Sequence, residues 1–203
     1  MLTPPGRILV LGIGNLLWAD EGFGVRVVET LERDYEFPSN LTLLDGGTQG
    51  LALIPYVQQA DTLVIADAVD FGEPPGTLIE AHDGEVPAYL CAGKMSLHQI
   101  SFQEVLALSG LLGDAPDRIC LIGVQPECLD DYGGSLSDTV RSQIGPAVSR
   151  ILRYLGSLGI EGEARLQPLE AAHALAIGAY EAERPSAAEA CRIGDGRFLG
   201  WGS

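Results

Sequence analysis

The chain has 203 residues, 46% of them hydrophobic, and a formal net charge of −16 at pH 7. This length suits one domain with a full hydrophobic core, with or without an appendage, and the hydrophobic content excludes wholesale disorder. The acidic balance excludes nucleic acid and anionic membranes as partners, because both require lysine and arginine to contact phosphates.

The first predicted element is a strand at 7–12, preceded by two prolines and followed directly by a glycine turn. That start is unlike a signal peptide, and no stretch reaches the roughly 20 apolar residues of a membrane helix. The four cysteines include no CxxC pair, which favours reduced thiols. We therefore expect a cytoplasmic protein that does not enter a membrane.

Helical and strand patterns then alternate along the chain. Helices are predicted at 22–34, 50–59, 98–109 and 136–158, and further strands at 41–47, 61–69, 76–81 (an edge strand) and 118–124. The alternation predicts an α/β fold: a three-layer α/β/α arrangement with a twisted, mostly parallel sheet of about five strands flanked by helices. We expect one domain over 1–160 and an extension over 161–203 that is loose or docks on it, with a helix around 169–183.

The glycine turn after the first strand reads GIGNLLWADEGFG and begins at Gly12. Gly12 and Gly14 match the dinucleotide-binding fingerprint, but Leu17 occupies the place of its third glycine. Asp20 and Glu21 then stand where a pyrophosphate would bind, and their carboxylates would repel it. The turn therefore argues against a nucleotide; we expect Asp20 to cap the following helix, and the role of Glu21 stays open.

Three more polar residues are predicted at the same edge of the sheet as Glu21. Asp45 and Asp67 end the second and third apolar strands, and His98 opens the helix at 98–109. Each has an ordinary structural explanation: a turn cap for Asp45, hydrogen bonds to loop amides for Asp67, a helix-end polar group for His98. Together, however, the carboxylates and the imidazole could bind a divalent metal at the carboxyl edge, where α/β proteins bind their ligands.

Other catalytic arrangements are missing from the sequence. There is no GxSxG nucleophile elbow and no HExxH zinc motif. Cys91 precedes His98 by seven residues, but the intervening sequence offers no means of activating a thiol. The edge carboxylates and His98 thus remain the best candidates for chemistry.

Long blocks of the sequence resemble one family. The segments GIGNLLWADEGFGVRV, DGGTQGL, DAVDFGEPPGT, KMSLHQISFQEVLAL and GVQPECLDDYGGSLSD strongly resemble the maturation endopeptidases of nickel–iron hydrogenases. The resemblance spans about residues 6–158 in order, and it does not extend to the tail. It implies an aspartyl-type, metal-binding protease of the same α/β fold that removes a C-terminal extension from the precursor of the hydrogenase large subunit after nickel insertion.

The resemblance also implies roles for individual residues. The metal-binding positions of the family fall on Glu21, Asp67 and His98, and its further acid, the candidate catalytic residue, falls on Asp45. We interpret Asp20 as a helix cap or as a support for Glu21. All four family positions carry the residue types that the family's motifs require.

Two mechanisms fit these residues. In one, a metal resident in the enzyme polarises the scissile carbonyl and activates water. In the other, nickel bound to the precursor docks onto the three ligands and Asp45 serves as the base for water. The second mechanism explains why cleavage waits for nickel. We therefore expect the nickel to be carried by the precursor, with no metal or another divalent cation in the resting enzyme. We also expect the enzyme to be a monomer whose partner is this precursor. A non-catalytic nickel-sensing maturation chaperone and, more remotely, a nucleotide-dependent oxidoreductase remain the alternatives.

Overall fold

The computed structural model describes residues 6–90, 97–169 and 180, and it describes side chains everywhere in these ranges except at 97–101. The strands are β1 (Ile8–Ile13), β2 (Tyr35–Glu36), β3 (Leu41–Gly47), β4 (Thr62–Ala68), β5 (Leu78–His82), β6 (Arg118–Val124) and β7 (Glu163–Ala164). The α-helices are α1 (Phe23–Asp34), α2 (Ile54–Gln59), α3 (Val86–Leu90), α4 (Leu97–Leu112), α5 (Asp138–Arg141) and α6 (Ile144–Ser157). Short 3-10 turns at Ala19–Gly22 and Gly50–Leu53 precede α1 and α2, and one at Asp83–Glu85 precedes α3.

Five strands form the central sheet in the order β3-β1-β4-β6-β5. The pairs β1·β3, β1·β4 and β4·β6 are parallel, and β5 runs antiparallel to β6 at one edge. The predicted sheet, its strand count and its edge strand are thus confirmed. The apolar runs of β1 and β4 are buried along their whole length because helices cover both faces of the sheet.

Two hydrophobic cores lie on the two faces of the sheet. On one face, Val10, Val64 and Ile122 pack with side chains of α1 and α6. On the other, Leu11 and Ile65 pack with side chains of α2, α3 and α4. Successive strand residues therefore face opposite layers, which decides on which side of the sheet each candidate site residue lies.

Two predicted helices are broken in the structure. The stretch 136–158 is divided into α5 and α6, and 50–59 begins with the turn at Gly50–Leu53 rather than with an α-helix. A proline lies in the first turn of both restarted helices, Pro146 in α6 and Pro55 in α2. Proline lacks the N–H of a helix interior and restricts the residue before it, so each α-helix begins close to its proline.

The chain after α6 returns to the end of α1. There β7 pairs antiparallel with β2, and the Leu169 N–H donates to the Arg33 carbonyl (2.9 Å). The first residues of the predicted extension are therefore docked, while the boundary at 160 stays a prediction. The predicted helix around 169–183 lies outside the described residues apart from Leu169 and Tyr180, whose ring lies 5.9 Å from the Arg26 guanidinium. Of the helices that the structure describes, none is both long and apolar enough to cross a bilayer.

Candidate active site

The sheet has a topological switch point between β1 and β4. The chain leaves β1 through α1 to reach β3 on one side, and returns through α2 to β4 on the other side of β1. Helices α1 and α2 lie on opposite faces, so a crevice opens beyond the carboxyl ends of β1 and β4. Open α/β sheets bind their ligands in this crevice.

A tight glycine turn forms one wall of the crevice. Gly14 has a φ of +139°, and a Cβ there would lie 1.8 Å from the Glu21 carbonyl oxygen. The Asn15 N–H donates to that same carbonyl (3.2 Å), and the Glu21 N–H donates to the Trp18 carbonyl (2.9 Å). Only glycine allows the chain to turn back this closely. The turn fixes the backbone of Glu21 next to the end of β1.

Close packing of α1 on the sheet brings Glu21 towards Asp67. A Cβ at Gly24 would lie 2.1 Å from the Ala66 carbonyl oxygen and 2.3 Å from that of Ile13, so α1 begins in direct contact with β1 and β4. Glu21 lies three residues before this contact and Asp67 one residue after Ala66. The two carboxylates therefore belong to segments that touch, and the Glu21 side chain is only partly buried.

Asp67 is fully buried, with no exposed surface. It pairs with Gly123 of β6, so no neighbouring side chain stands beside it on that strand. It shares its face of the sheet with Leu63 and Ile65, which is the face covered by α4. A buried carboxylate is stable only where it is hydrogen-bonded, paired or bound to a cation.

His98 lies in the first turn of α4, which begins at Leu97. Its side chain lies outside the described residues, so its part in a metal site stays a prediction. Further along α4, Phe102 and Val105 pack into the core on the face that Asp67 shares. The helix that carries His98 and the side chain of Asp67 thus belong to the same layer of the molecule.

Asp45 lies near the end of β3, on the other side of β1 from Asp67. It pairs with Gly12, which also pairs with Ala66 of β4. Two strand spacings separate β3 from β4, so the backbones of Asp45 and Ala66 are about 10 Å apart. Asp45 is exposed, and Gln49 donates to its carbonyl oxygen (3.3 Å). It can meet bulk water at the rim of the crevice, and its catalytic role stays a prediction.

The prediction that Asp20 caps α1 is wrong. The residue before α1 is Gly22, and no side chain caps the helix there. Instead Asp20 is fully buried, with N–H donors from Glu127 (2.9 Å) and Cys128 (2.8 Å) to Oδ2 and from Ser137 (2.7 Å) to Oδ1. The Ser137 hydroxyl also donates to Oδ2 (3.0 Å). The cap prediction fails because the tight turn aims this carboxylate into the loop after β6 rather than along α1.

That loop contacts the glycine turn at two further points. The Gly133 N–H donates to the Leu17 carbonyl (2.7 Å), and the Trp18 and Tyr132 rings meet edge to face with centroids 5.3 Å apart. Trp18 is partly exposed at this contact. The Ser137 hydroxyl accepts from the Val140 N–H (3.3 Å) and caps α5.

Gln125 is a structural residue that the sequence reading missed. Its side chain is nearly buried directly after β6, and its Oε1 accepts from the N–H groups of Phe71 (2.9 Å) and Glu73 (3.2 Å). Its Nε2 donates to Asp70 Oδ1 (2.9 Å). Gln125 thereby fixes the loop that follows Asp67. One signal in the sequence could have identified Gln125: it follows an apolar strand directly, as the predicted site residues do.

Comparisons with known proteins agree with this architecture. A family model described as hydrogenase maturation protease matches residues 25–154. The hydrogenase expression/formation protein HupD of Thiocapsa roseopersicina is 54% identical over 198 residues, covering 95% of this chain and 90% of the relative. The hydrogenase 2 maturation protease of Escherichia coli K12 is 43% identical over 168 residues, covering 82% and 99%. The solved structure of the hydrogenase maturating endopeptidase HybD from E. coli aligns with a TM-score of 0.74 at 41% identity, covering 78% of this chain and 98% of that one.

Proposed function

This chain belongs to the hydrogenase maturation protease family, and from that premise we propose that its substrate is the precursor of a nickel–iron hydrogenase large subunit. It is a peptidase, as its family and its structural neighbours are. In our proposal it removes the C-terminal extension of that precursor after nickel insertion. It does so as a monomer in the cytoplasm.

Nickel held by the precursor is the recognition element in this proposal. Glu21 and Asp67 would offer carboxylate oxygens and His98 an imidazole nitrogen, a donor set that borderline divalent metals accept. The observation that carries the proposal is the contact of Gly24 with the Ala66 carbonyl, because it brings the turn of Glu21 against the strand end of Asp67. A precursor without nickel would lack the group that these ligands bind, so it would not be cleaved.

Asp45 is the proposed general base. Its carboxylate would accept a proton from a water molecule as that water attacks the scissile carbonyl carbon. The resulting tetrahedral centre would expel the amine of the C-terminal extension, which takes up a proton as it leaves. The exposure of Asp45 at the end of an edge strand supports this role, since both water and an extended peptide can reach it.

The proposal is tested by incubating the enzyme with nickel-loaded precursor and measuring the precursor mass. We expect loss of the C-terminal peptide with the wild type, and no loss with Glu21→Gln, Asp67→Asn or His98→Ala. The matched controls are Glu32→Gln and Asp114→Asn, which should cleave normally. They change exposed acids at the ends of α1 and α4 opposite to Glu21 and His98.

Nickel recognition is tested separately from cleavage. Nickel-free precursor should stay intact with the wild type, and the enzyme after chelator treatment should still cleave nickel-loaded precursor. A tightly bound stoichiometric metal in the resting enzyme that cleavage requires would contradict substrate-carried nickel. Binding of the precursor without any change in its mass would favour the chaperone alternative instead.

A further inference from the structure

A second group of potential ligands lies outside the crevice. Within the part of the chain that the structure describes, one set of histidine, cysteine and acidic side chains is close enough to share a metal ion: Glu80, His82 and Cys120. One ligand atom from each lies within 4.8 Å of the others. None of the three belongs to the proposed active site.

The antiparallel edge of the sheet brings these residues together. His82 of β5 pairs directly with Cys120 of β6, and Glu80 pairs with Ile122. Residues two apart on a strand share a face, and directly opposed residues have their Cβ atoms about 5 Å apart. The pairing therefore places a carboxylate, an imidazole and a thiol on one face, next to α6.

The distance between His82 and Glu80 suits a small tetrahedral ion. His82 Nε2 lies 3.4 Å from Glu80 Oε1. Ligands bound to zinc at about 2.0–2.3 Å in a tetrahedron are roughly 3.3–3.8 Å apart. The other carboxylate oxygen, Glu80 Oε2, accepts from Arg153 Nη2 (3.0 Å), which fixes the carboxylate, and the Tyr154 ring packs at 5.5 Å from the imidazole centroid.

The charges around the group are mixed, because two acids lie near the thiol and Arg153 is paired with one of them. Cys120 is fully buried, and the negative charges of Glu80 and Asp83 act on its thiol. The same negative charges that oppose a bare thiolate attract a divalent ion, and an ion bound there would stabilise the thiolate. His82 is exposed, so an ion has access from solvent.

This group is separate from the crevice. Cys120 pairs with Val64, three residues before Asp67 on β4, and those three residues span about 10 Å along a strand. Cys120 and Val64 also belong to the core beneath α1 and α6, whereas Asp67 faces the α4 layer. An ion held here would be too remote to contact the scissile bond of a substrate in the crevice.

We propose that Glu80, His82 and Cys120 form a zinc site with three protein ligands and one open position. On binding, the Cys120 thiol releases its proton to solvent and a zinc–sulfur bond forms, and Glu80 binds as carboxylate. His82 binds as neutral imidazole after its ring gives up the hydrogen bond that it accepts from the Glu85 N–H. No oxidation or reduction takes place. The ion ties β5 to β6 and stabilises the edge of the sheet.

Cobalt(II) is the spectroscopic probe of this site, because a cobalt–thiolate bond gives a charge-transfer band in the near ultraviolet that oxygen and nitrogen ligands do not. The full chain is titrated with Co²⁺ and then with competing Zn²⁺. We expect the band in the wild type and in Cys128→Ser, the matched thiol control, and its loss in Cys120→Ser. Cys91→Ser and Cys191→Ser cover the two cysteines outside the described residues.

His82→Asn and Glu80→Gln guard against misfolding of the cysteine variant, since both change side chains that are at least partly exposed. Each should weaken Zn²⁺ binding more than about 100-fold, because even the loss of a residue that merely supports a ligand costs about 10- to 100-fold. Circular dichroism confirms that each variant is folded. Absence of the band in the wild type, or a band that persists in Cys120→Ser and disappears in another cysteine variant, would overturn the proposal. The two proposals can fail independently. Glu21, Asp67 and His98 provide no thiolate, so absence of the cobalt band would leave the proposed protease site unaffected. Failure to cleave the precursor would likewise leave the proposed zinc site unaffected.

Discussion

Replacing the buried carboxylate of Asp20 tests how the active-site turn is fixed. In Asp20→Asn, the new amide can direct its oxygen at the three donors that now reach Oδ2, from Glu127, Cys128 and Ser137. Its NH₂ group then faces the Ser137 N–H, which has donated to Oδ1 at 2.7 Å. One hydrogen bond to a charged acceptor is lost, a donor opposes a donor, and three bonds become weaker neutral ones.

The expected loss is large for a single isosteric substitution. A hydrogen bond to a charged group contributes about 1.5–3 kcal/mol, and a buried group left without a partner costs a similar amount. We therefore expect the free energy of unfolding to fall by about 3 kcal/mol. With a urea m-value of about 2 kcal/mol/M, the unfolding midpoint moves down by about 1.5 M.

Urea unfolding followed by circular dichroism measures this change, and hydrogen exchange should show faster exchange of the Glu127, Cys128 and Ser137 amides. The matched control is Asp130→Asn, an exposed acid in the same loop, which should stay within about 0.5 kcal/mol of the wild type. If Asp20→Asn is as stable as this control, the four hydrogen bonds do not hold the loop and the reasoning is wrong.

Three further changes test other parts of the description. Gly24→Ala should lower the free energy of unfolding by about 2–3 kcal/mol, because its Cβ would lie 2.1 Å from a strand carbonyl oxygen. Gly145→Ala is the control: a Cβ there has open space around it, so thermal melts should show it to be neutral or stabilising. Equal stability of the two variants would refute the close contact at Gly24. Asp45→Asn should lower kcat about 10²- to 10⁴-fold while precursor binding stays within twofold, and unchanged turnover would remove Asp45 as the base. Burial raises the pKa of the Cys120 thiol to about 12, so iodoacetamide should label Cys120 only after unfolding. The half-buried Cys128 should be labelled in the native protein. Equal labelling rates of the two thiols in the native protein would contradict this expectation.

The sheet could be predicted because each central strand is a continuous apolar run. The strands β1, β4 and β6 are covered on both faces, and such strands carry their signal within six or seven residues. Helix α3 and the two-residue strands β2 and β7 were missed, since elements this short have no measurable periodicity. The edge position of β5 was predicted, but its antiparallel pairing with β6 depends on the loops between them.

The candidate site was predictable only in part, because local patterns in the sequence do not show contacts between distant segments. Acids after apolar strands, such as Asp45 and Asp67, are visible in the sequence because parallel strands end at one edge. The partners of Asp20 lie 107 to 117 residues away, and no local pattern connects them. The turn at Ala19–Gly22 also looked like the start of a helix, so Asp20 was assigned the local role of a cap.

The position of β1 within the sheet has a consequence for how the protein folds during translation. Strand β1 leaves the ribosome before both of its partners, β3 on one side and β4 on the other. It cannot complete its backbone pairing until the chain has been synthesised through Ala66, and β4 in turn pairs with β6 only after that strand is made. Pairing between strands so far apart in the chain is slow compared with helix formation, so the nascent chain exposes the apolar β1 until β3 and β4 have emerged. During that interval it can be bound by chaperones that recognise exposed apolar segments.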